Sequence, residues 1–187
     1  MAVPERAGHH HRAGGEVTTA TRWNITRCEQ HRDWMLNLDA DCPDPCDNCT
    51  YRAVYELDVP MVARRRGGPL EPPLNANDRI HFRVRSQRTR LIREAVLVAA
   101  KAARIPTGSH LTVTLHYRPG DNRRRDADNL VPTLKAACDA LARGSRRDWV
   151  GLELVPDDTP KHMTKNMPVI HPGPGDRRLW IEVEITP

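Results

Sequence analysis

The fold is decided by residues 111–141, which have the sequence LTVTLHYRPGDNRRRDADNLVPTLKAACDAL. Apolar and polar side chains alternate over 111–118, and this period of two predicts a β-strand with one buried face. Pro119 and Gly120 follow directly, and both residue types favour turns. The strand is therefore expected to end there, just before the charged residues.

A helix is predicted after this turn region. Pro132 is tolerated in the first turn of a helix, and Gly144 is the expected terminator. Leu134, Cys138 and Leu141 share one face of the predicted helix, so Cys138 is expected in the core rather than at a metal. The acidic motif at 126–129 thus lies between a strand and a helix.

The same patterns extend outward along the chain. Alternation predicts strands at 53–59 and 179–185, and five prolines and glycines predict a loop over 64–77. Residues 163–170 are expected to pair with the closing strand as a hairpin across the Pro-Gly-Pro-Gly turn at 172–175. The order of elements implies an α+β fold with a mixed sheet.

A longer helix is predicted over 85–103. The side chains expected on its inner face are Leu91, Ile92, Ala95, Val96, Ala99 and Ala102. Those expected on its outer face are Arg85, Arg88, Arg93 and Lys101. The outer face is either a solvated surface or a contact with DNA.

At 187 residues the chain suffices for one well-buried domain and an appendage. We predict a disordered leader over 1–20, a cysteine-rich unit over 21–50 and a catalytic domain over 51–187. The four clustered thiols are Cys28, Cys42, Cys46 and Cys49. They suit a structural tetrahedral Zn²⁺ site, in which His31 could replace one thiolate. An iron-sulfur cluster and unliganded thiols are the alternatives.

Charge and hydropathy narrow the class of protein. The net charge of +5 favours nucleic acid as a partner, although many ordinary proteins are equally basic. Only four of the 29 basic residues are lysine, so the lysines are candidates for specific chemistry. No apolar run is long enough to span a bilayer, and the first residues lack a signal peptide. A cytoplasmic protein without membrane contact is expected.

The acidic motif suggests metal-dependent chemistry. Asp126 and Asp128 lie one residue apart, and in extended chain their side chains would project to the same side. Carboxylate oxygens suit Mg²⁺ or Mn²⁺, and Arg123, Arg124 and Arg125 would hold a phosphate backbone beside the metal. The alternative is a polar turn in which an Asp caps the helix. The residues of the motif alone do not decide between this turn and the site of a metal-dependent nuclease.

Three segments together resemble the RusA family of Holliday-junction resolvases, which are small Mg²⁺-dependent endonucleases common in phages and prophages. They are RRRDADNL at 123–130, KAACDAL at 135–141 and the pair Asp157-Asp158. The segment PPLN at 72–75 is similar to an early motif of the family, whereas residues 1–50 fall outside the resemblance.

The resemblance implies a small mixed sheet with two main helices, to which the cysteine-rich appendage is added. It implies a homodimer that binds four-way DNA junctions and nicks two strands symmetrically, in recombination and repair within a bacterial host cell. Asp126, Asp128 and Asp158 would be the metal carboxylates and Lys135 the catalytic lysine. Asn129 and Asp139 would be supporting polar residues.

Two departures from the family pattern leave alternatives open. Residues 131–133 lengthen the gap between Asp128 and Lys135 to seven, so the lysine stays on the site's side only if 128–135 are helical. Because the segment before Asp157 is also long, Asp157 or Asp148 could replace Asp158. Lys135 could instead be a surface lysine paired with Asp139. The alternative functions are a zinc-containing DNA-binding module without catalysis and a nuclease for other branched DNA.

Overall fold

The computed structural model describes residues 21–26, 50–144 and 151–186, with side chains described from Val54 onward. The predicted leader, His31, the four clustered cysteines and Asp148 lie outside the described residues. The first described strand, Thr21–Thr26, falls within the segment predicted as a cysteine-rich unit and pairs with the strand Thr50–Asp58 of the main sheet.

The described residues form eight strands, two α-helices and a short 3₁₀ helix. The strands are β1 (Thr21–Thr26), β2 (Thr50–Asp58), β3 (Val62–Ala63), β4 (Leu70–Glu71), β5 (His110–Arg118), β6 (Met163–Lys165), β7 (Val169–Ile170) and β8 (Arg178–Thr186). The helices are α1 (Phe82–Ala102), the 3₁₀ helix (Ala127–Leu130) and α2 (Val131–Leu141). Neither α-helix, nor any other described helix, is both long and apolar enough to cross a membrane.

The main sheet has the order β1-β2-β8-β5, with β6 and β7 along the outer edge of β5. The pairs β1–β2, β2–β8 and β8–β5 are antiparallel, whereas β6 and β7 run parallel to β5. The sheet is therefore mixed, and the predicted α+β class is confirmed. Strands β3 and β4 form a separate two-stranded hairpin, in which β3 precedes the loop predicted over 64–77 and β4 lies within it.

The core lies between one face of the sheet and the two helices. Successive strand side chains point to opposite faces, so alternate residues such as Leu57, Leu115 and Ile181 are fully buried beneath α1 and α2. On the opposite face His116 stacks on Trp180, and Arg178 pairs with Glu56. The strands predicted at 53–59, 111–118 and 179–185 are thus confirmed with their buried faces.

Helix α1 confirms the predicted helix but shows a rotated inner face. Ile92, Val96, Ala99 and Ala100 are buried, at the spacing of one helical stripe. Leu91 is 40% exposed and Ala102 is also exposed, so their assignment to the inner face was wrong. The reason is that Ile92, one residue further round the helix, faces the sheet and turns Leu91 to the edge of the core.

Residues 163–170 do not form a hairpin with the closing strand. Both edges of β8 are occupied, by β2 on one side and β5 on the other. The segment instead pairs with the free edge of β5, in parallel orientation. The predicted hairpin was therefore wrong. The parallel pairing instead places β6 beside β5, the strand that leads into the acidic motif.

Candidate functional site

The acidic motif lies in a continuous helical segment. The 3₁₀ helix Ala127–Leu130 leads directly into α2, with Pro132 in the first turn of α2. Residues 128–135 are therefore helical, which is the condition for Lys135 to share a face with Asp128. The extended-chain argument was wrong for Asp128, because of the two only Asp126 is extended, with φ −100° and ψ 132°.

The side chains of Asp126 and Asp128 have no structural task among the described residues. Asp126 occupies the cap position of the 3₁₀ helix, yet its carboxylate makes no capping hydrogen bond. Both side chains are exposed, and neither forms an ion pair with a described residue. The helix-cap alternative is therefore not what these carboxylates do in this fold.

Asp126 and Asn129 line an open cavity of about 310 Å³ together with Asn75, Arg124 and Arg125. Asn75 belongs to the PPLN segment, which docks onto the start of α2.

The docking uses three hydrogen bonds. The buried Thr133 hydroxyl donates to Leu74 O at 2.8 Å and accepts from Leu74 N at 3.2 Å. The amide of Ala76 donates to Asn129 O at 2.9 Å. Segments 72–75 and 126–129, which lie more than fifty residues apart in sequence, thus form one wall.

The three arginines before the motif differ in their surroundings. Arg125 Nη1 lies 2.7 Å from Asp121 Oδ1, and its guanidinium lies over the Tyr117 ring at 5.7 Å. The Arg125 hydrogen bond lowers the pKa of Asp121 to about 2. Arg123 and Arg124 are exposed, without a described ion pair, and remain available to an external phosphate.

A second group of charged residues, the lysine cluster, lies on the exposed side of α2. Its members are Arg93, Lys135, Asp139, Asp158 and Lys165. Lys135 Nζ lies 2.6 Å from Asp139 Oδ1 and also contacts Asp158 Oδ2. Lys165 Nζ reaches the same Asp158 oxygen at 2.7 Å, and Arg93 Nη2 lies 2.5 Å from Asp139 Oδ2. The pairing with Asp139 was predicted as the alternative role of Lys135, and the structure contains it together with the contact to Asp158.

Backbone contacts with the end of α2 position Asp158. The amides of Leu152 and Leu154 donate to Ala140 O at 2.8 Å and Leu141 O at 2.9 Å, which satisfies carbonyls left open at the helix terminus. Gly151 permits this approach, because a Cβ there would lie 1.7 Å from Ala142 O. Within the long 141–157 segment the chain therefore returns to the end of α2, and Asp158 then follows beside Lys135.

Of the two neighbouring aspartates, Asp158 is the one that faces the cluster. Asp157 Oδ1 accepts from the amide of Thr159 at 2.9 Å and from its hydroxyl, so Asp157 stabilises a local turn. This arrangement favours Asp158 over Asp157 as the third acidic residue of the site.

Charge interactions perturb the groups of this cluster. Hydrogen bonds from Lys135 and then Lys165 lower the pKa of Asp158 to about 2. Burial lowers the pKa of Lys135, but its bonds to Asp139 and Asp158 outweigh that effect and raise it. Cys138, on the buried face of α2, has its pKa raised to about 12 by burial and lies in the core as predicted.

The low pKa of Asp158 predicts a contribution to acid stability. Its folded-state pKa of about 2 lies below the ordinary 3.8, so its stabilisation is present above pH 3.8 and is lost as the pH falls toward 2. After solvent screening we expect on the order of 1 kcal/mol. Urea unfolding of Asp158→Asn and wild type at pH 2 to 6 should show a shallower dependence in the variant. Asp176→Asn, at an exposed aspartate, should leave the wild-type dependence unchanged; equal slopes for all three chains would contradict the prediction.

Most of the predicted residues fall into two groups, to which Arg123 and Asp128 do not belong. Asp126 and Asn129 lie at the cavity with Arg124 and Arg125, whereas Lys135, Asp139 and Asp158 meet on α2. Within the described residues no three His, Cys, Asp or Glu side chains are arranged to hold a metal ion. The three predicted metal carboxylates, Asp126, Asp128 and Asp158, therefore do not form one metal-binding group in the described structure.

The sequence analysis did not predict that Arg93 and Lys165 would join the second group. Arg93 was assigned to the outer face of α1 but is only 25% exposed and pairs with Asp139. Arg88 was assigned to the same outer face but is also turned inward, where it donates a hydrogen bond to Pro73 O at 3.0 Å; it is not part of the second group. Lys165 was not assigned any role, although the scarcity of lysine was a signal that could have found it.

Comparison with known proteins adds no relative. A scan against models of protein families finds no match to the chain, and neither does a search of curated proteins. Function must therefore be inferred from the residues of the site.

Proposed function

We propose that the chain is a Mg²⁺-dependent, structure-selective DNA endonuclease that nicks four-way junctions, as the resemblance to the RusA family implies. Cleavage by a pair of symmetric nicks requires two active sites, so the proposal includes a homodimer. The proposed setting is recombination and repair in the cytoplasm of a bacterial host.

The observation that carries the proposal is the pair of unengaged carboxylates at Asp126 and Asp128. Two exposed acidic groups without an ion pair contribute little to folding, apart from the modest interaction of Asp128 with the N-terminal end of the helical segment. The same placement gives hard oxygen ligands beside cations that can hold phosphate. The presence of Asn75 and Asn129 at the same cavity adds support, because both belong to segments that carry the resemblance.

The carboxylate oxygens of the three aspartates are of the type that binds a hard divalent cation. Asp126 and Asp128 offer oxygens without a competing partner in the described chain, and Asp158 has its Oδ1 oxygen without a described contact. These three residues would hold the ion. When bound, Mg²⁺ supplies activation of a water molecule and neutralisation of charge on the phosphate.

The chain's own residues account for the remaining requirements. Arg123 and Arg124 would bind the DNA backbone and fix its register, without reading bases. Lys135 is charged at neutral pH, as an ordinary lysine is, and its carboxylate partners raise its pKa further. It would place that charge near the scissile phosphate and stabilise the transition state.

The test is a nicking assay with the purified full-length chain. A synthetic four-way junction, labelled on each strand in turn, is incubated with Mg²⁺ or with chelator, beside flaps, forks and linear duplex of the same sequence. We expect paired nicks in opposite strands of the junction with Mg²⁺, none with chelator and no cutting of linear duplex.

Other outcomes would replace the proposal. Junction binding without nicking would indicate a DNA-binding module, and equal cutting of flaps and forks would indicate a broader nuclease. A monomeric mass by light scattering, with and without junction, would contradict the homodimer.

A further inference from the structure

We propose that Lys165 is a positioning residue of this site, which together with Lys135 fixes the orientation of the Asp158 carboxylate for phosphodiester cleavage. The inference rests on the proposed function. It concerns a residue outside the segments that carry the resemblance, since Lys165 follows Asp158 by seven positions on strand β6.

The two oxygens of the Asp158 carboxylate differ in their contacts. The ammonium groups of Lys135 and Lys165 both contact Oδ2, with Lys165 at 2.7 Å, whereas Oδ1 has no hydrogen bond or ion pair with a described residue. Hydrogen bonds between charged groups are shorter and stronger than neutral ones, so two of them on one oxygen restrict rotation of the carboxylate. Oδ1 is thereby held in a fixed direction and stays available to a ligand.

Lys165 is itself anchored by the parallel pairing that the sequence did not predict. Met163 is buried, and Lys165 lies in register with Val113 of β5. On either side of β6, Leu111 N donates to His162 O at 2.9 Å and Asn166 N donates to Val113 O at 3.0 Å. The backbone that carries Lys165 is therefore fixed to a central strand of the core.

Lys135 is the more exposed of the two lysines at Asp158. Its side chain is 53% exposed, against 29% for that of Lys165. Under the proposed function a DNA phosphate would therefore meet the Lys135 ammonium more readily, which leaves Lys165 the role of positioning Asp158.

A purely structural role accounts poorly for Lys165. The side chains of Lys165 and Asp158 are 29% and 30% exposed, and a partly exposed ion pair contributes at most about 1 kcal/mol to folding stability. Lysine is also scarce in this chain, at four of 29 basic residues, yet two of the four meet at Asp158.

The test compares Lys165→Met, Lys165→Arg and Lys161→Met. Lys161 is the matched control, because it is an exposed lysine four residues earlier in the same segment. For each chain we would measure the melting temperature, the junction dissociation constant without divalent cation, and kcat and KM for nicking with saturating Mg²⁺.

We expect Lys165→Met to lower kcat by about ten- to a hundredfold, the effect of a misplaced catalytic group, with KM, binding and melting temperature nearly unchanged. Lys165→Arg should restore part of kcat because it returns the charge. Lys161→Met should match wild type in every measurement.

The outcomes separate this inference from the proposed function. Wild-type chain that nicks no junction would overturn both. Wild-type chain that nicks, with Lys165→Met as active as Lys161→Met, would overturn the inference alone. A fall in kcat that follows a fall in melting temperature, without rescue by arginine, would also overturn it, because it would assign Lys165 to folding.

Discussion

Replacing Asp128 with asparagine is expected to abolish junction nicking while junction binding stays the same or becomes tighter. Asparagine has the same shape but lacks the charge that a divalent cation requires. We expect a loss of at least about two to three orders of magnitude in the nicking rate, the scale on which removal of one electrostatic group acts. Asp126→Asn should behave alike.

Junction binding is expected to change in the opposite direction, because under the proposed function the site would face DNA phosphates. Asp128 is exposed and follows the arginines closely, so its charge repels the DNA backbone that they attract. Removing that charge leaves the arginines unopposed. Single-turnover nicking with Mg²⁺ and fluorescence anisotropy with a labelled junction would measure the two effects separately.

Asp176→Asn is the control for Asp128→Asn, since Asp176 is an exposed aspartate in the loop before β8. It should nick at the wild-type rate. Nicking that survives Asp128→Asn would remove the endonuclease proposal. Loss of binding in step with loss of nicking would show that the carboxylate supports the DNA-bound conformation rather than the reaction.

The two halves of the candidate site differ in the charge around their carboxylates. Asp158 Oδ2 is contacted by the ammonium groups of Lys135 and Lys165. The Asp126 and Asp128 carboxylates form no ion pair with a described residue. Under the proposed function the three aspartates would hold the divalent cation, and Lys135 would stabilise charge on the phosphate.

The main elements of the fold could be predicted because their patterns are local. Period-two alternation located β2, β5 and β8, and the apolar stripes located α1 and α2. The mixed α+β arrangement followed from their order. The error at Leu91 arose because hydrophobicity gives the width of a stripe but not its centre, which tertiary packing around Ile92 decides.

The non-local features could not be predicted from one sequence. Whether 163–170 pairs with β5 or β8 depends on which strand edges remain free, and β8 has both edges filled. The contact of Arg93 with Asp139 and that of Lys165 with Asp158 depend on this packing. The residues of the acidic motif were found directly because they are contiguous, whereas the lysine cluster joins three separate elements.

The second large effect is expected in the core, where Leu115→Ala should lower the free energy of unfolding by about 3 to 4 kcal/mol. Leu115 is fully buried on β5, which pairs with β8 on one edge and with β6 and β7 on the other. Deleting its side chain removes apolar burial and leaves a cavity between the sheet and the helices. Urea unfolding monitored by circular dichroism would measure the change.

Leu91→Ala is the matched control, because it deletes the same atoms from a leucine that is 40% exposed on α1. We expect a loss below about 1 kcal/mol, since surface substitutions have small effects and alanine favours helices. Losses of equal size would mean that Leu91 faces the core and that α1 is rotated from the orientation described. That rotation would also move Arg93 away from Asp139, so this comparison of stabilities tests the framework of the lysine cluster without any measurement of nicking.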